Sequence, residues 1–375
     1  MGDIRVPFLD LSRHDRALLP ELSAAFSRVL QGGRFVLGPE VSAFEEEFAS
    51  FCGARHAVGV ASGTDAIVLV LRALGIAPGD EVVTPALSAP PTAVAVSLAG
   101  GRPLFVDIDP ATRCIDPSQV ERSIGPRTRF LLAVHLYGRL AETEELSRIA
   151  DGHGLVLVED CAQAHGARRN GRSAGTWGRA GCYSFYPTKN LGAYGDGGAV
   201  ITDDAQLARR LRELRDYGRV DRDRIAEVGT NSRLDELQAA FLRVKLGRLE
   251  EWNRRRRDLA RRYWEELEGL PLDLPEWDGM EDHCFHLWVA ACEERDALRA
   301  WLAEEGIETA VHYPVPLHLQ APYLEGGKPA FSCPEAERFC ARAISLPLHP
   351  SLSEDEQDAV ISAVKGFFRR RRKTA

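Results

Sequence analysis

A single lysine, Lys189, stands between the short aromatic stretch Gly181-Cys182-Tyr183-Ser184-Phe185-Tyr186-Pro187 and the glycine run Gly195-Asp196-Gly197-Gly198. Desolvation lowers the pKa of an amine, and a neutral lysine can form a Schiff base with a carbonyl compound. Most lysines are solvated surface residues. Here the downstream glycines let backbone approach something closely, which sets Lys189 apart. Upstream, the apolar run Val156-Leu157-Val158 ends in Glu159-Asp160-Cys161-Ala162-Gln163-Ala164-His165-Gly166. Two adjacent carboxylates are costly to bury unless something cationic faces them. A carboxylate at a strand end can hold the protonated nitrogen of a heteroaromatic cofactor, with Gln163 and His165 in the same pocket. It can equally be an acid that caps a turn. Ser62-Gly63-Thr64-Asp65 follows the apolar Val58-Gly59-Val60-Ala61 and opens a helix, where free N–H groups and the helix dipole suit a phosphate. Ser and Asp also simply cap helices.

Positioning these groups requires a scaffold, and residues 55 to 205 supply its pattern. Strands are expected at Val58–Ala61, Glu81–Thr84, Pro103–Val106, Arg129–Val134, Leu155–Val158 and Val200–Thr202. Helices are expected at Thr64–Leu74, stopped by Gly75 and Pro78, and at Glu142–His153 and Asp204–Leu214. Continuous apolar strands separated by helices indicate a mostly parallel α/β sheet covered on both faces. Ligands of such sheets gather at the carboxyl ends of the strands, where Ser62-Gly63-Thr64 and Glu159-Asp160 lie. The character changes after residue 245. A long charged helix is expected over Leu246–Leu267, then a Pro-rich connection over Leu270–Asp282. His286–Cys292, Arg295–Glu305 and Ser353–Phe368 suggest a smaller α+β domain. The division is a large domain over 1–248, with an N-terminal arm, and a small one over 249–375. Val82–Gly101 is uncharged and long enough to span a bilayer. Pro85, Pro90, Pro91 and Gly100-Gly101 break it into strand, loop and helix, so no membrane span is expected.

Composition narrows the function classes. The chain has 375 residues, 27% charged and 45% apolar, and 47 Lys and Arg against 55 Asp and Glu give a net charge of −8. That balance excludes a general nucleic-acid binder. The basic run Arg369–Lys373 reads as a solvated end or the last turn of a helix, with a polybasic anchor as the lesser reading. The eight cysteines form no CxxC pair and no zinc spacing, so no metal is expected. Asp3, Arg5 and Asp10 interrupt any N-terminal signal sequence, so reduced thiols in a cytoplasmic protein are expected.

The motifs SGTDA, EDCAQAHGA, SFYPTKNLGAYGDGGA, NSRLDELQAA and HYPVPLHLQ, in this order, resemble those of the DegT-type sugar aminotransferases. The likeness runs from Val6-Pro7-Phe8-Leu9-Asp10 through Gly38-Pro39-Glu40 and His135-Leu136-Tyr137-Gly138 to Leu346-Pro347-Leu348-His349-Pro350. Members of that family are fold type I enzymes that use pyridoxal 5'-phosphate (PLP) to aminate nucleotide-linked keto sugars. The resemblance implies that Lys189 carries PLP as a Schiff base and moves the proton, while Asp160 pairs with the pyridine nitrogen. It implies that Gln163 lies near the phenolic oxygen, and that Gly63, Thr64 and Ser184 hold the phosphate. Asn231 would reach the phosphate of a neighbouring subunit in a homodimer with shared active sites. Tyr186, Arg219, Arg233, His312 and Tyr313 are candidates for substrate contacts, or else surface and interface residues.

L-Glutamate is the donor that the resemblance implies, with ping-pong kinetics. EDCAQAHGA, YPTKNLGAYGD and HLYGR look more like the branch that aminates a dTDP-3-keto-6-deoxyhexose than the 4-keto branch, and His165 is tied to that distinction as a catalytic candidate. A 4-keto sugar nucleotide or a keto-cyclitol is the alternative acceptor, and a PLP-fold regulatory or binding protein is the alternative outside enzymes. Dehydratase relatives carry His at the Schiff-base position, and Lys189 argues against that reading. One departure stands out. Relatives usually place an aromatic over the pyridine ring where this chain has Ala89, so Leu87 or Pro90 is expected to cover the ring instead.

Overall fold

The expected strands assemble into one sheet. The computed structural model describes residues 4–277 and 283–374, so 278–282 of the Pro-rich connection lie outside the described residues. The sheet strands are β1 (His56–Val60), β2 (Glu81–Pro85), β3 (Arg102–Val106), β4 (Thr128–Val134), β5 (Val156–Asp160), β6 (Ala180–Ser184) and β7 (Gly198–Thr202). Their spatial order is β1-β7-β6-β5-β4-β2-β3. All neighbours run parallel except the two pairs made by β7, which is antiparallel to both β1 and β6. Alternate residues enter different cores: Val82, Phe130 and Leu132 on one face, Val83, Leu131 and Ala133 on the other. That is the period-two signature of a sheet buried on both sides. The architecture is the α/β fold type I arrangement.

Register brings the chemistry to one edge. Gly198, the first residue of β7, pairs with both Val60 and Ser184, the last residues of β1 and β6. A side chain at Gly198 would put a Cβ 2.4 Å from the Ser62 carbonyl carbon, so glycine is required for this close approach. The uncharged stretch divides as its prolines dictate, into β2 and the helix Pro90–Leu98. Among the described residues no helix is long and apolar enough to cross a membrane.

The C-terminal part has its own apolar cluster. Strands β8 (Trp288–Ala291) and β9 (Ala343–Leu346) pair antiparallel. They pack with the helices Leu249–Leu267, Arg295–Glu304 and Glu354–Thr374 around Trp288, Tyr263, Leu302 and Val364. Val6 of the N-terminal arm joins this cluster and bridges to Ile307. The helix expected over Leu246–Leu267 runs from Leu249 to Leu267, and a separate helix, Glu236–Leu246, ends just before it at Gly247-Arg248. The basic tail continues the last helix: Arg371 pairs with Glu294 at 3.0 Å, and Arg370 lies over the Trp301 ring.

Candidate active site

At the carboxyl edge of the sheet lies a cavity of about 310 Å³. Its wall takes Gly63 and Thr64 from the helix start, Asp160 and Gln163 from the end of β5, and Ser184, Tyr186 and Lys189 from the segment after β6. Seven residues predicted from the sequence therefore share one site. Ser62, the N-cap of the helix Gly63–Ala73, accepts from Asp65 N at 3.1 Å. The N–H groups of Gly63 and Thr64 have no acceptor among the described residues. A Cβ on Gly63 would lie 2.6 Å from the Ser184 Cβ, so this turn and Ser184 form a cradle that a larger residue would fill.

Lys189 Nζ has no hydrogen-bond or ion-pair partner among the described residues. Burial pushes its amine down to about 8 against the opposing pull of Asp160. The Asp160 carboxyl is pushed up by burial, while hydrogen bonds from Ala162 N (3.1 Å) and Thr92 Oγ1 (2.8 Å) favour its charged form. Gln163 Oε1 accepts from Tyr137 N at 2.7 Å and its Nε2 donates to Tyr313 Oη at 3.0 Å, which leaves one amide hydrogen for a ligand.

The other carboxylate of the pair is differently employed. Glu159 is fully buried and accepts from Gly175 N (2.8 Å), Trp177 N (2.7 Å), Gly178 N (2.7 Å) and His135 Nε2 (2.8 Å). His135, Glu159 and Cys161 place potential ligand atoms within 4.8 Å of one another, but the acceptor sites of Glu159 are already filled by these four donors.

Several expected residues lie elsewhere. His165 does not line the cavity. It is fully buried behind the wall, 5.3 Å from the Tyr183 ring and 5.8 Å from Phe185, with neither ring nitrogen hydrogen-bonded. Burial and the nearby Lys189 push its imidazole down to about 3, so it is neutral. His312 and Tyr313 stand on the C-terminal side: Tyr313 joins the site through Gln163, and His312 Nδ1 bonds Ser345 Oγ at 2.8 Å. Arg219 and Arg233 lie outside the cavity and pair with Asp216 at 3.8 and 3.0 Å. Asn231 is exposed and also outside it, on the segment whose next residue, Ser232, donates to Asp65. Neither residue expected to cover the ring lines the cavity. Leu87 is packed into the core below the sheet and Pro90 is exposed, whereas Ala89 and Pro91 line the cavity. Ser88 and Thr92, also in the wall, are small hydroxyl residues inside the uncharged Val82–Gly101 stretch and give no local signal of a site.

A phosphate-sized cradle, a depressed amine and a buried carboxylate around one cavity fit PLP. Residues 18–365 match the DegT/DnrJ/EryC1/StrS aminotransferase family. The chain belongs to that family. It is 48% identical to the dTDP-3-amino-3,4,6-trideoxy-alpha-D-glucose transaminase of Streptomyces venezuelae, over 98% of this chain and 97% of that protein. The crystal structure of S. venezuelae DesV in complex with a ketimine intermediate superposes with a TM-score of 0.94 at 49% identity, covering 97% of this chain and 98% of that one. The Bacillus subtilis NtdA structure, with bound cofactor PMP, superposes with a TM-score of 0.92 at 34% identity, covering 98% of this chain and 86% of that one. This DegT-family protein is a PLP-dependent aminotransferase.

Proposed function

We propose that this DegT-family aminotransferase transfers the amino group of L-glutamate to C3 of a dTDP-3-keto-6-deoxyhexose, as a cytoplasmic homodimer with shared active sites. The observation that carries the reading is the convergence of Lys189, Asp160 and the Ser62-Gly63-Thr64 turn on one cavity. The acceptor class is supported by the 48% identity to a transaminase named for a dTDP-3-amino sugar. Bound PLP supplies the electron sink that the chemistry needs. The free N–H groups of Gly63 and Thr64, with the Ser184 hydroxyl, hold its phosphate. Asp160 would pair with the pyridine nitrogen, and the spare Gln163 Nε2 hydrogen would be available to the phenolic oxygen. Lys189 Nζ would be the group that moves the proton at the amino-bearing carbon, which suits an amine that burial lowers to about 8. Asn231 is exposed on its own subunit, consistent with service to a partner's phosphate. Exposed Leu19, Phe26, Phe35 and Tyr194 supply apolar surface for that partner. Tyr186, Arg219, Arg233, His312 and Tyr313 are the residues from which contacts to the sugar nucleotide or the donor carboxylate are drawn.

The test is incubation of the enzyme and L-glutamate with dTDP-3-keto- and dTDP-4-keto-6-deoxyhexoses, with products identified by mass and NMR. The 3-amino sugar is expected, with parallel double-reciprocal plots as for any ping-pong reaction. A 4-amino product, or turnover with keto-cyclitols alone, would transfer the assignment to those acceptors. A second prediction concerns pH. Only the deprotonated amine attacks an aldehyde, so PLP capture by the apoprotein should accelerate as pH rises towards the Lys189 value of about 8. The slope should be about tenfold per unit well below that value, flattening above it. Stopped-flow absorbance reads this directly, and a rate flat from pH 6 to 9, roughly the window bracketing such an amine, would contradict a depressed lysine.

A further inference from the structure

In the cavity wall, Asp160 is the end of a chain of hydroxyls. Ser88 and Thr92 are both buried and flank Pro90-Pro91, the first residues of the helix Pro90–Leu98. Thr92 Oγ1 donates to Asp160 Oδ2 at 2.8 Å, and the same Thr92 oxygen lies 2.7 Å from Ser88 Oγ. Proton counting fixes the direction. A hydroxyl carries one proton, Thr92 gives its own to the carboxylate, and so Ser88 must be the donor to Thr92. The two prolines hold the turn: their rings fix φ, and they remove two N–H groups that a helix start would otherwise leave without acceptors. Asp160 Oδ1 is held separately by Ala162 N at 3.1 Å. Each carboxylate oxygen is thus tied on one side, which sets the plane of the group.

We propose that the Ser88–Thr92 hydroxyl chain is a positioning device that orients Asp160 and favours its anion as the partner of the cofactor's pyridine nitrogen. The inference rests on the role given to Asp160 above. Chains of hydrogen bonds polarise one another in a low-dielectric site, so Ser88 strengthens the bond that Thr92 makes. The device acts against burial, which by itself pushes the Asp160 carboxyl up. The titratable groups around Asp160 are Lys189, His135, Tyr313, Glu159, Cys161 and Cys182. None of them replaces the Thr92 donor at Oδ2, because the other hydrogen bond to the carboxylate, from Ala162, goes to Oδ1.

The test uses the holoenzyme with Thr92→Val, Thr92→Ser, Ser88→Ala and Asp160→Asn, reading PLP affinity and the pH midpoint of the bound cofactor's absorbance. Without the Thr92 donor Asp160 becomes a stronger base and draws the ring proton towards itself, so the ring withdraws electrons less and the midpoint rises. Thr92→Val is expected to weaken PLP about tenfold and raise the midpoint by about one unit, the scale of one charge-assisted hydrogen bond. Thr92→Ser keeps the hydroxyl and should restore both to within about twofold. Ser88→Ala should move both in the same direction by less. If Thr92→Val matches the wild type while Asp160→Asn changes both readouts, the hydroxyl chain has no such role. Equal losses in Thr92→Val, which lacks the hydroxyl, and Thr92→Ser, which keeps it, would show that the hydroxyl does not decide the effect and would overturn the inference. If Asp160→Asn also leaves both readouts unchanged, the assignment of Asp160 itself fails.

Discussion

Replacement of Lys189 by alanine is expected to lower transamination by at least about 10⁴-fold, the upper range for loss of a single proton-transferring group. The expectation exceeds an ordinary acid–base loss because the same nitrogen has two tasks. It is the nucleophile that captures the aldehyde, and it is the amine placed to move a proton once it has been released. The protein around it should tolerate the change. Lys189 Nζ makes no hydrogen bond or ion pair among the described residues, so its removal leaves no buried partner unpaired. The Gly63–Thr64 cradle, Asp160 and Gln163 are untouched by the substitution, and PLP should still bind without becoming covalently attached. Lys189→Arg separates charge from nucleophilicity: a guanidinium stays protonated and cannot attack, so this variant should be as inactive as alanine. Three measurements decide it. They are turnover with glutamate and a keto sugar, the cofactor absorbance before and after glutamate, and mass analysis of borohydride-treated protein. In the wild type the reduced adduct should sit on the peptide containing residue 189. An adduct elsewhere, or undiminished turnover in Lys189→Ala, would remove the lysine from the reaction.

The site was legible where its residues are local in sequence. The strand-to-helix turn at Ser62, the strand end at Asp160 and the lysine before a glycine run each carry their own signal. Parallel-sheet topology then places all three at one edge, with Gly198 pairing to Val60 and Ser184. What was not legible is how neighbours divide the work. Glu159 and Asp160 read as an equivalent pair, yet successive strand residues point to opposite faces. Asp160 faces the cavity, and Glu159 faces the turn 175–178 and His135. Strand alternation in the apolar run before them could have made that distinction. His165 looked like a pocket residue from its distance along the chain, but the loop after β5 turns it into the aromatic core beside Tyr183 and Phe185. The contributions of Tyr313 and His312 depend on a segment some 150 residues from Gln163, beyond any local signal. The helices Leu19–Gly32 and Pro39–Cys52 do carry local signals, proline in the first turn and a left-handed glycine, Gly33 or Gly53, at the end.

Glu159→Ala is expected to destabilise the fold by about 3–5 kcal/mol, the range for removing one partner from a buried, hydrogen-bonded charge site. The carboxylate is completely enclosed, and each of its oxygens takes two donors: Trp177 N and Gly178 N on one, Gly175 N and His135 Nε2 on the other. Alanine would strip three backbone N–H groups of their acceptor. Glutamine is nearly isosteric but should rescue little. Its NH₂ must face one of the two donor pairs, and each pair contains a backbone N–H that cannot reverse. His135 cannot accommodate it by exchanging its ring proton, because its Nδ1 already accepts from Ala141 N at 3.2 Å. The damage should also reach the catalytic edge, since His135 N donates to the Asp160 carbonyl at 3.1 Å and ties β4 to β5 there. Denaturant midpoints and PLP affinity should therefore fall together in Glu159→Ala and Glu159→Gln. Thr92→Val, by contrast, should lose affinity with little change in midpoint, because its methyl packing survives. An unchanged midpoint in Glu159→Ala would mean that the turn 175–178 finds other acceptors, and that the anchoring of Asp160 through its neighbour is not what fixes the site.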